Sequence, residues 1–250
     1  MSMKVVAVIP ARYGSSRFEG KPLADIAGSP MIAWVYNRVL RSPLIDSVYV
    51  ATDDSRIAEA CEQHGLRFIM TSSDHGTSTE RLNEVAEKID ADLYLCVNGD
   101  EPLIDPDFLG LIVPSELPDE SEIYAANIAA RMTAPSQVVD PSNIKIVFAA
   151  DGCAQYMSRS PIPFPKSGLD YDYWKHVGVL IYNRAALSFF AETPRGTNER
   201  IEDINELRFI ENGVRLHMVR TEAQEGLSVD TPKDLDYIRK VVTERGLKVK

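Results

Sequence analysis

Four short runs, Lys4–Pro10, Ser47–Thr52, Leu66–Met70 and Leu93–Val97, are apolar at nearly every position instead of at every second one. A run of strand length with no polar face is a strand covered on both sides. Helical spacing lies between the runs. Met31, Ile32, Val35, Val39 and Leu40 recur on one face, as do Ile57, Ala58 and Cys61 after the capping segment Thr52-Asp53-Asp54-Ser55. Strands joined by crossover helices must pair in parallel, so the pattern implies an open three-layer αβα sheet.

The rhythm changes near residue 120. Segments 123–130, 144–149, 154–158 and 177–182 read as strands with little helix between them, and Pro161-Ile162-Pro163-Phe164-Pro165 enforces an extended break. Residues 120–200 are therefore expected to form an antiparallel insertion within one domain spanning 1–250. The α/β pattern then resumes. A helix is expected over Asn198–Asn212 and ended by Gly213, followed by a strand over 214–221. A last helix opens at Asp230-Thr231-Pro232, with Leu235, Ile238 and Val242 on one face.

Composition narrows the function classes. At 250 residues, 44% hydrophobic and 26% charged, the chain is neither disordered nor fibrous. No apolar stretch approaches bilayer length, and Met1-Ser2-Met3-Lys4 leads straight into a strand, so the expectation is a cytoplasmic protein. Cys61, Cys96 and Cys153 lie far apart, and the four histidines are scattered, which gives no zinc pattern. A net charge of −10 argues against nucleic acid as a partner. It leaves room for a small anion held by local positive potential.

The first strand runs into that potential. Pro10-Ala11-Arg12-Tyr13-Gly14-Ser15-Ser16-Arg17-Phe18-Glu19-Gly20-Lys21-Pro22 combines small residues, which let backbone N–H groups face an anion, with cations at 12, 17 and 21. Its place at the carboxyl end of a parallel strand is where open α/β sheets bind ligands. Neither G-x-G-x-x-G nor G-x-x-x-x-G-K-[ST] is present, which removes the nicotinamide-binding fingerprint and the familiar nucleotide-triphosphate loop. A second feature is Asn98-Gly99-Asp100-Glu101-Pro102, which follows the fourth strand. Taken alone, Asp100 is equally a turn residue before proline, and Asp230 is a helix N-cap.

Residues 10–22 resemble the signature loop of sugar nucleotidyltransferases in its short form A-R-x-x-S-x-R-x-x-G-K-P. That form is similar to the CMP-Kdo synthetase (3-deoxy-manno-octulosonate cytidylyltransferase) family. Similarity returns, in order, at Ser73–Glu84, Asn98–Pro102, Tyr156–Pro163, Lys175–Gly178, Glu202–Arg208 and Val229–Pro232. The resemblance implies a Rossmann-like sheet of the nucleotide-diphospho-sugar transferase type. It implies transfer of CMP from CTP to the anomeric hydroxyl of a 3-deoxy-2-keto sugar acid, with loss of pyrophosphate, for lipopolysaccharide or capsule synthesis. Mg²⁺ would be held by Asp100 and Asp230, in keeping with a hard cation that takes one or two carboxylates beside phosphate. The implied nucleotide contacts are Ala11, Arg12, Ser15, Arg17, Lys21, Ser78, Arg81 and Asp100, with Arg12, Lys21, Asp100 and Asp230 carrying catalysis. The implied sugar contacts are Asn98, Arg159, His176, Asn205 and Glu206. A homodimer built on residues 120–200 is also implied.

Departures from the family pattern concentrate at the sugar side. Asn98 stands where glutamine is usual, and Asn205-Glu206 where Glu-Gln is usual, with Leu207-Arg208 fixing the register. Ser78 replaces a glycine and Glu19 a proline. A carboxylate at 206 suits an ammonium, so the 8-amino-8-deoxy analogue of the octulosonate joins the candidate substrates. Glu202 and Glu206 also fit an ordinary charged helix face, Arg159 a strand edge, and His176 a structural role. Two alternatives remain: activation of a sialic-acid-like nonulosonate, and a nucleotide-binding regulator without turnover.

Overall fold

The computed structural model describes residues 3–14, 18–119, 121–168, 171–222 and 228–249. In chain order the elements are β1 (Val5–Ala11), β2 (Asp25–Ile26), β3 (Ser29–Pro30), α1 (Met31–Val39), β4 (Ser47–Thr52), α2 (Ser55–Gln63), β5 (Phe68–Met70), α3 (Ser78–Lys88), β6 (Leu93–Val97), α4 (Pro106–Gly110) and β7 (Ala125–Arg131). There follow α5 (Pro135–Val139), β8 (Lys145–Phe148), β9 (Ala154–Ser158), β10 (Trp174–Tyr182), α6 (Arg184–Glu192), α7 (Thr197–Glu202), α8 (Leu207–Glu211), β11 (Leu216–Thr221) and α9 (Pro232–Glu244).

The main sheet runs β11-β7-β10-β6-β1-β4-β5. The pairs β6–β1, β1–β4, β4–β5 and β7–β11 are parallel, as crossover helices require. β10 is antiparallel to both of its neighbours, β6 and β7. β1 shows why an all-apolar strand marks a two-sided core. Val5, Ala7 and Ile9 enter the cluster on one face, and Val6 and Val8 enter the cluster on the other. Each Val or Ile among them contributes about 1.5–3 kcal/mol on burial.

The antiparallel region is smaller than expected. β7 and β10 belong to the main sheet, and only the β8–β9 hairpin, attached through β8 to the start of β10, extends beyond it. A strand buried on both faces has the same composition in an insertion or in the main sheet, so the antiparallel direction of residues 177–182 was expected but their place in the main sheet was not.

The helix expected over 198–212 is two helices. α7 stops at Asp203, which adopts a left-handed conformation with φ of 52°. Arg159 accounts for the break. Its Nε and Nη2 donate to the carbonyls of Glu202 and Asp203, at 2.6 and 2.9 Å, and so cap α7 from another strand. The Glu202 carboxylate in turn accepts from Ser158 Oγ and the Arg159 N–H. Ile204 then turns into the core. The two helices are tied together by Arg208 of α8, whose Nε and Nη2 hold both oxygens of the fully buried Glu199 at 2.8 and 2.6 Å.

A third, smaller core cluster joins the ends of the chain. Ile26, Met31 and Trp34 pack against Val229, Leu235, Ile238 and Val242, and Trp34 Nε1 donates to the Ile26 carbonyl. This cluster sets the start of α9 against the loop that follows β1.

Arg208→Ala would remove the two-point partner of the buried Glu199 and leave it only the part-exposed Arg195, whose Nε donates at 3.1 Å. It is expected to cost about 3–5 kcal/mol of unfolding free energy, read as a lower urea midpoint. A loss below about 1 kcal/mol would show that the pair does not hold α7 to α8.

Candidate active site

A cleft of about 260 Å³ opens at the carboxyl ends of β1 and β6, with Ala11, Arg12, Lys21, Ser78, Asn98 and Asp100 in its wall. Elements distant in sequence supply these side chains. Arg12 and Lys21 flank the loop after β1, Asn98 and Asp100 follow β6, and Ser78 begins α3. Of the loop residues expected to touch nucleotide, Ser15 and Arg17 lie outside the described residues.

Lys21 is the junction of the site. Its Nζ stands 2.9 Å from Asp100 Oδ2 and 3.8 Å from Asp230 Oδ1, and donates to the Val229 carbonyl at 2.9 Å. The Val229 N–H donates to the Asp100 carbonyl at 2.8 Å. Two carboxylates separated by 130 residues thus reach one ammonium. Asp230 does not cap α9. Thr231 takes that position, in a capping box with Asp234, and the Asp230 carboxylate lies toward Lys21 instead. Among the described residues, no group of three or more His, Cys, Asp or Glu side chains could hold a metal ion. Asp100 and Asp230 offer two carboxylates that are part-exposed, at 24% and 38%. That donor set fits a hard cation completed by water and phosphate oxygens.

α3 closes the next wall. Thr77 caps it, in a capping box with Glu80. Arg81 is fully buried one turn on. It donates to Thr71 Oγ1 and pairs with Asp53 at 3.4 Å. Burial lowers the Arg81 pKa, Asp53 opposes that shift, and Arg12 adds to it, which places the two guanidinium groups within electrostatic reach. Asp53 and Thr71 were not among the expected site residues. The signal was present in Thr52-Asp53-Asp54, but it reads as capping chemistry, which Asp54 does supply to α2.

Behind Asn98 lies an irregularity in β10. Its pairing with β7 shifts register between His176 and Leu180, and the buried Asn127 Nδ2 donates to the carbonyls of Val177 and Val179 across the shift. Asn127 is a second residue that the sequence did not single out. Gly178 sits in this bulge. A Cβ placed there would lie 2.1 Å from Asn98 Nδ2, so the glycine makes room for the Asn98 side chain. The Asn98 N–H also donates to the Gly178 carbonyl at 3.1 Å.

Beside the bulge, His176 Nε2 lies 3.8 Å from Glu206 Oε2, with the Glu206 side chain only 8% exposed. Glu206 is therefore not one of a row of solvated helix charges. Burial drives the Cys96 thiol up to about 12, with the charge of Glu206 adding and a hydrogen bond to Ser78 opposing. Cys96 thus links Glu206 to the cleft wall. Asn205 lies at the α7–α8 corner, where its carbonyl accepts the Arg208 N–H. Arg159, an expected sugar contact, spends most of its guanidinium on the backbone. Nε, Nη1 and Nη2 donate to the carbonyls of Glu202, Pro141 and Asp203. A substrate carboxylate reaching Arg159 would be limited to the second N–H of each terminal nitrogen.

Comparison with known proteins places this architecture. A family model described as Cytidylyltransferase matches residues 6–248. A 3-deoxy-manno-octulosonate cytidylyltransferase of Trichlorobacter lovleyi is 42% identical over 94% of this chain and 96% of its own length. One from Escherichia coli is 39% identical over 96% and 97%. The solved structure of a CMP:2-keto-3-deoxy-manno-octonic acid synthetase complexed with CTP superposes with a TM-score of 0.89 at 38% identity, covering 97% of this chain and 99% of that one. On these matches over nearly its whole length, the chain belongs to the 3-deoxy-manno-octulosonate cytidylyltransferase family of nucleotidyltransferases.

Proposed function

We propose that this protein transfers CMP from CTP to the anomeric hydroxyl of 3-deoxy-manno-octulosonate and releases pyrophosphate, supplying lipopolysaccharide or capsule assembly. The observation that carries the reading is the meeting of Lys21 with Asp100 and Asp230 in the cleft that Arg12 also lines. A triphosphate needs cations along its length and carboxylates that retain a divalent ion, and both converge here.

Arg12 and Lys21 neutralise the phosphate oxygens and hold the chain of phosphates for in-line attack; Arg17 joins them in this reading. Ala11 and Ser15 contribute loop contacts, and Ser78 and Arg81 border the nucleoside. Positioning of two bound reactants, not covalent chemistry, is the main protein contribution. Asp100 and Asp230 fit Mg²⁺ as its carboxylate donors. When bound, the ion supplies Lewis-acid polarisation of the phosphate oxygens. The sugar acid would lie along Asn98, His176, Asn205 and Glu206, with Arg159 reaching its carboxylate through the two N–H groups left to it.

A second reading of the sugar is favoured by Glu206. Its buried carboxylate faces an imidazole at 3.8 Å, and a terminal ammonium on the substrate would match that charge better than a hydroxyl. The substrate in that reading is the 8-amino-8-deoxy octulosonate. A nonulosonate acceptor and a turnover-free regulator are the competitors the assay below removes.

The homodimer expected of residues 120–200 is supported by an apolar groove of about 670 Å³ in which Met132, Val139, Phe164, Tyr171 and Tyr173 take part. Among the described residues, no helix is long and apolar enough to cross a membrane. We place the reaction in the cytoplasm, where CTP is available.

Pyrophosphate release with CTP, Mg²⁺ and paired sugar acids tests the assignment. Turnover is expected with an octulosonate and not with a nonulosonate, and no turnover with any sugar acid would refute it. Asp100→Asn and Asp230→Asn are each expected to lower kcat/KM by at least about 10²-fold, while residual activity above about a tenth of wild type would deny the carboxylates their role. Glu206→Gln is expected to shift the ratio of kcat/KM for amino over hydroxyl octulosonate by about tenfold or more toward the hydroxyl sugar. An unchanged ratio would return Glu206 to a purely structural part.

A further inference from the structure

The loop that carries the phosphate-facing cations is closed at its neck by residues that do not face the cleft. Tyr13 follows Arg12, and Gly20 precedes Lys21. The Gly20 N–H donates to the Tyr13 carbonyl at 2.8 Å, which ties together the backbone next to the two cations. The Tyr13 side chain packs at this junction. On one side it lies against Gly20, where an added Cβ would come within 3.2 Å of the phenol ring and where φ is +69°. On the other side the Arg56 guanidinium carbon sits 3.2 Å from the Tyr13 ring centroid. Arg56 is itself held by both oxygens of Asp54, at 2.9 and 2.7 Å. Asp54 caps α2, the crossover helix after β4.

We propose that Arg56 is a positioning residue for the triphosphate, acting through Tyr13. The guanidinium clamps the ring against Gly20 and thereby fixes the directions in which Arg12 and Lys21 leave the neck. The inference rests on the nucleotide assignment made above. Arg56 is more than half exposed, with 55% of its side chain open to water, so core packing does not explain a guanidinium laid flat on an aromatic face. The bidentate grip of Asp54 orients the plane of the cation before any ligand arrives, which lowers the entropy lost in holding the loop. One short turn, Asp53 to Arg56, then braces both sides of the nucleotide site. Asp53 pairs with Arg81 of α3, and Asp54 works through Arg56 on the loop.

The test is equilibrium CTP binding and steady-state kinetics for Arg56→Gln, Tyr13→Leu, the double variant, and the conservative Tyr13→Phe. An exposed cation–π contact of ordinary strength corresponds to a change in Kd of about two- to fivefold. Arg56→Gln and Tyr13→Leu are each expected to raise Kd and KM for CTP by about that factor, with kcat and KM for the sugar acid within about twofold of wild type. The double variant is expected to be no worse than the weaker-binding single one, because the contact can be lost only once. Tyr13→Phe keeps the ring and is expected to bind CTP like wild type. Singles that leave KM for CTP unmoved would overturn the clasp, as would effects that multiply in the double variant, since long-range charge would then explain Arg56. If wild type binds CTP and all variants bind it equally, the clasp alone falls. If wild type binds no CTP, the assigned reaction falls with it.

Discussion

The ammonium of Lys21, placed between a carboxylate that follows β6 and another that precedes α9, is the contact on which the site depends. It requires three distant pieces of chain to arrive at one point. β1 and β6 pair directly, which brings the loop and Asp100 together. The small cluster around Trp34 and Leu235 brings α9, and Asp230 with it. Hydrophobic packing therefore supplies the convergence, and the charges occupy positions that packing has already set. An ion pair of this exposure stabilises a fold only slightly, so its value lies in where it holds the groups.

Charge is divided in the same spirit. A chain with net charge −10 gathers its cations where an anionic substrate must bind. Elsewhere the buried cations are consumed internally. Arg208 is taken by Glu199, and Lys145, fully buried, donates to the carbonyls of Asp140, Asn143 and Arg159. Arg159 caps α7. The side proposed to take the sugar thus includes Arg159, whose hydrogen bonds are largely spent on the backbone. Glu206 and His176 face each other there, Oε2 to Nε2 at 3.8 Å.

The central sheet was legible because two-sided burial leaves an unmistakable apolar run, as in Val5–Ile9. The loop cations were legible because small residues and spaced Arg and Lys have few other uses after a parallel strand. The antiparallel direction of β10 was expected, but its place in the main sheet was not legible, since a strand buried on both faces has the same composition in a core sheet or in an insertion. The break at Asp203 was hidden for another reason. Its cause, Arg159, lies 44 residues away, and local spacing over 198–212 still reads as one helix. Thr231 displaced Asp230 as the cap because Asp234 completes a box with it, a pairing visible in Thr231-Pro232-Lys233-Asp234 once the helix start is known. Asn127 carried no local signal at all, because its partners are created by the bulge it bridges. The roles given to individual nucleotide and sugar contacts came from family resemblance, and geometry now shows which of them share a cleft.

The central claim is that Asp100 and Asp230 act on one ion, and a double-mutant cycle on metal binding tests it most directly. Mn²⁺ affinity in the presence of CTP would be measured by paramagnetic resonance for wild type, Asp100→Asn, Asp230→Asn and the double variant. If the ion is shared, removing either carboxylate breaks the same site, so the double variant should bind within about threefold of the weaker single one. Losses that multiply across the two positions would mean that the carboxylates act independently, and the shared cleft would have to be abandoned.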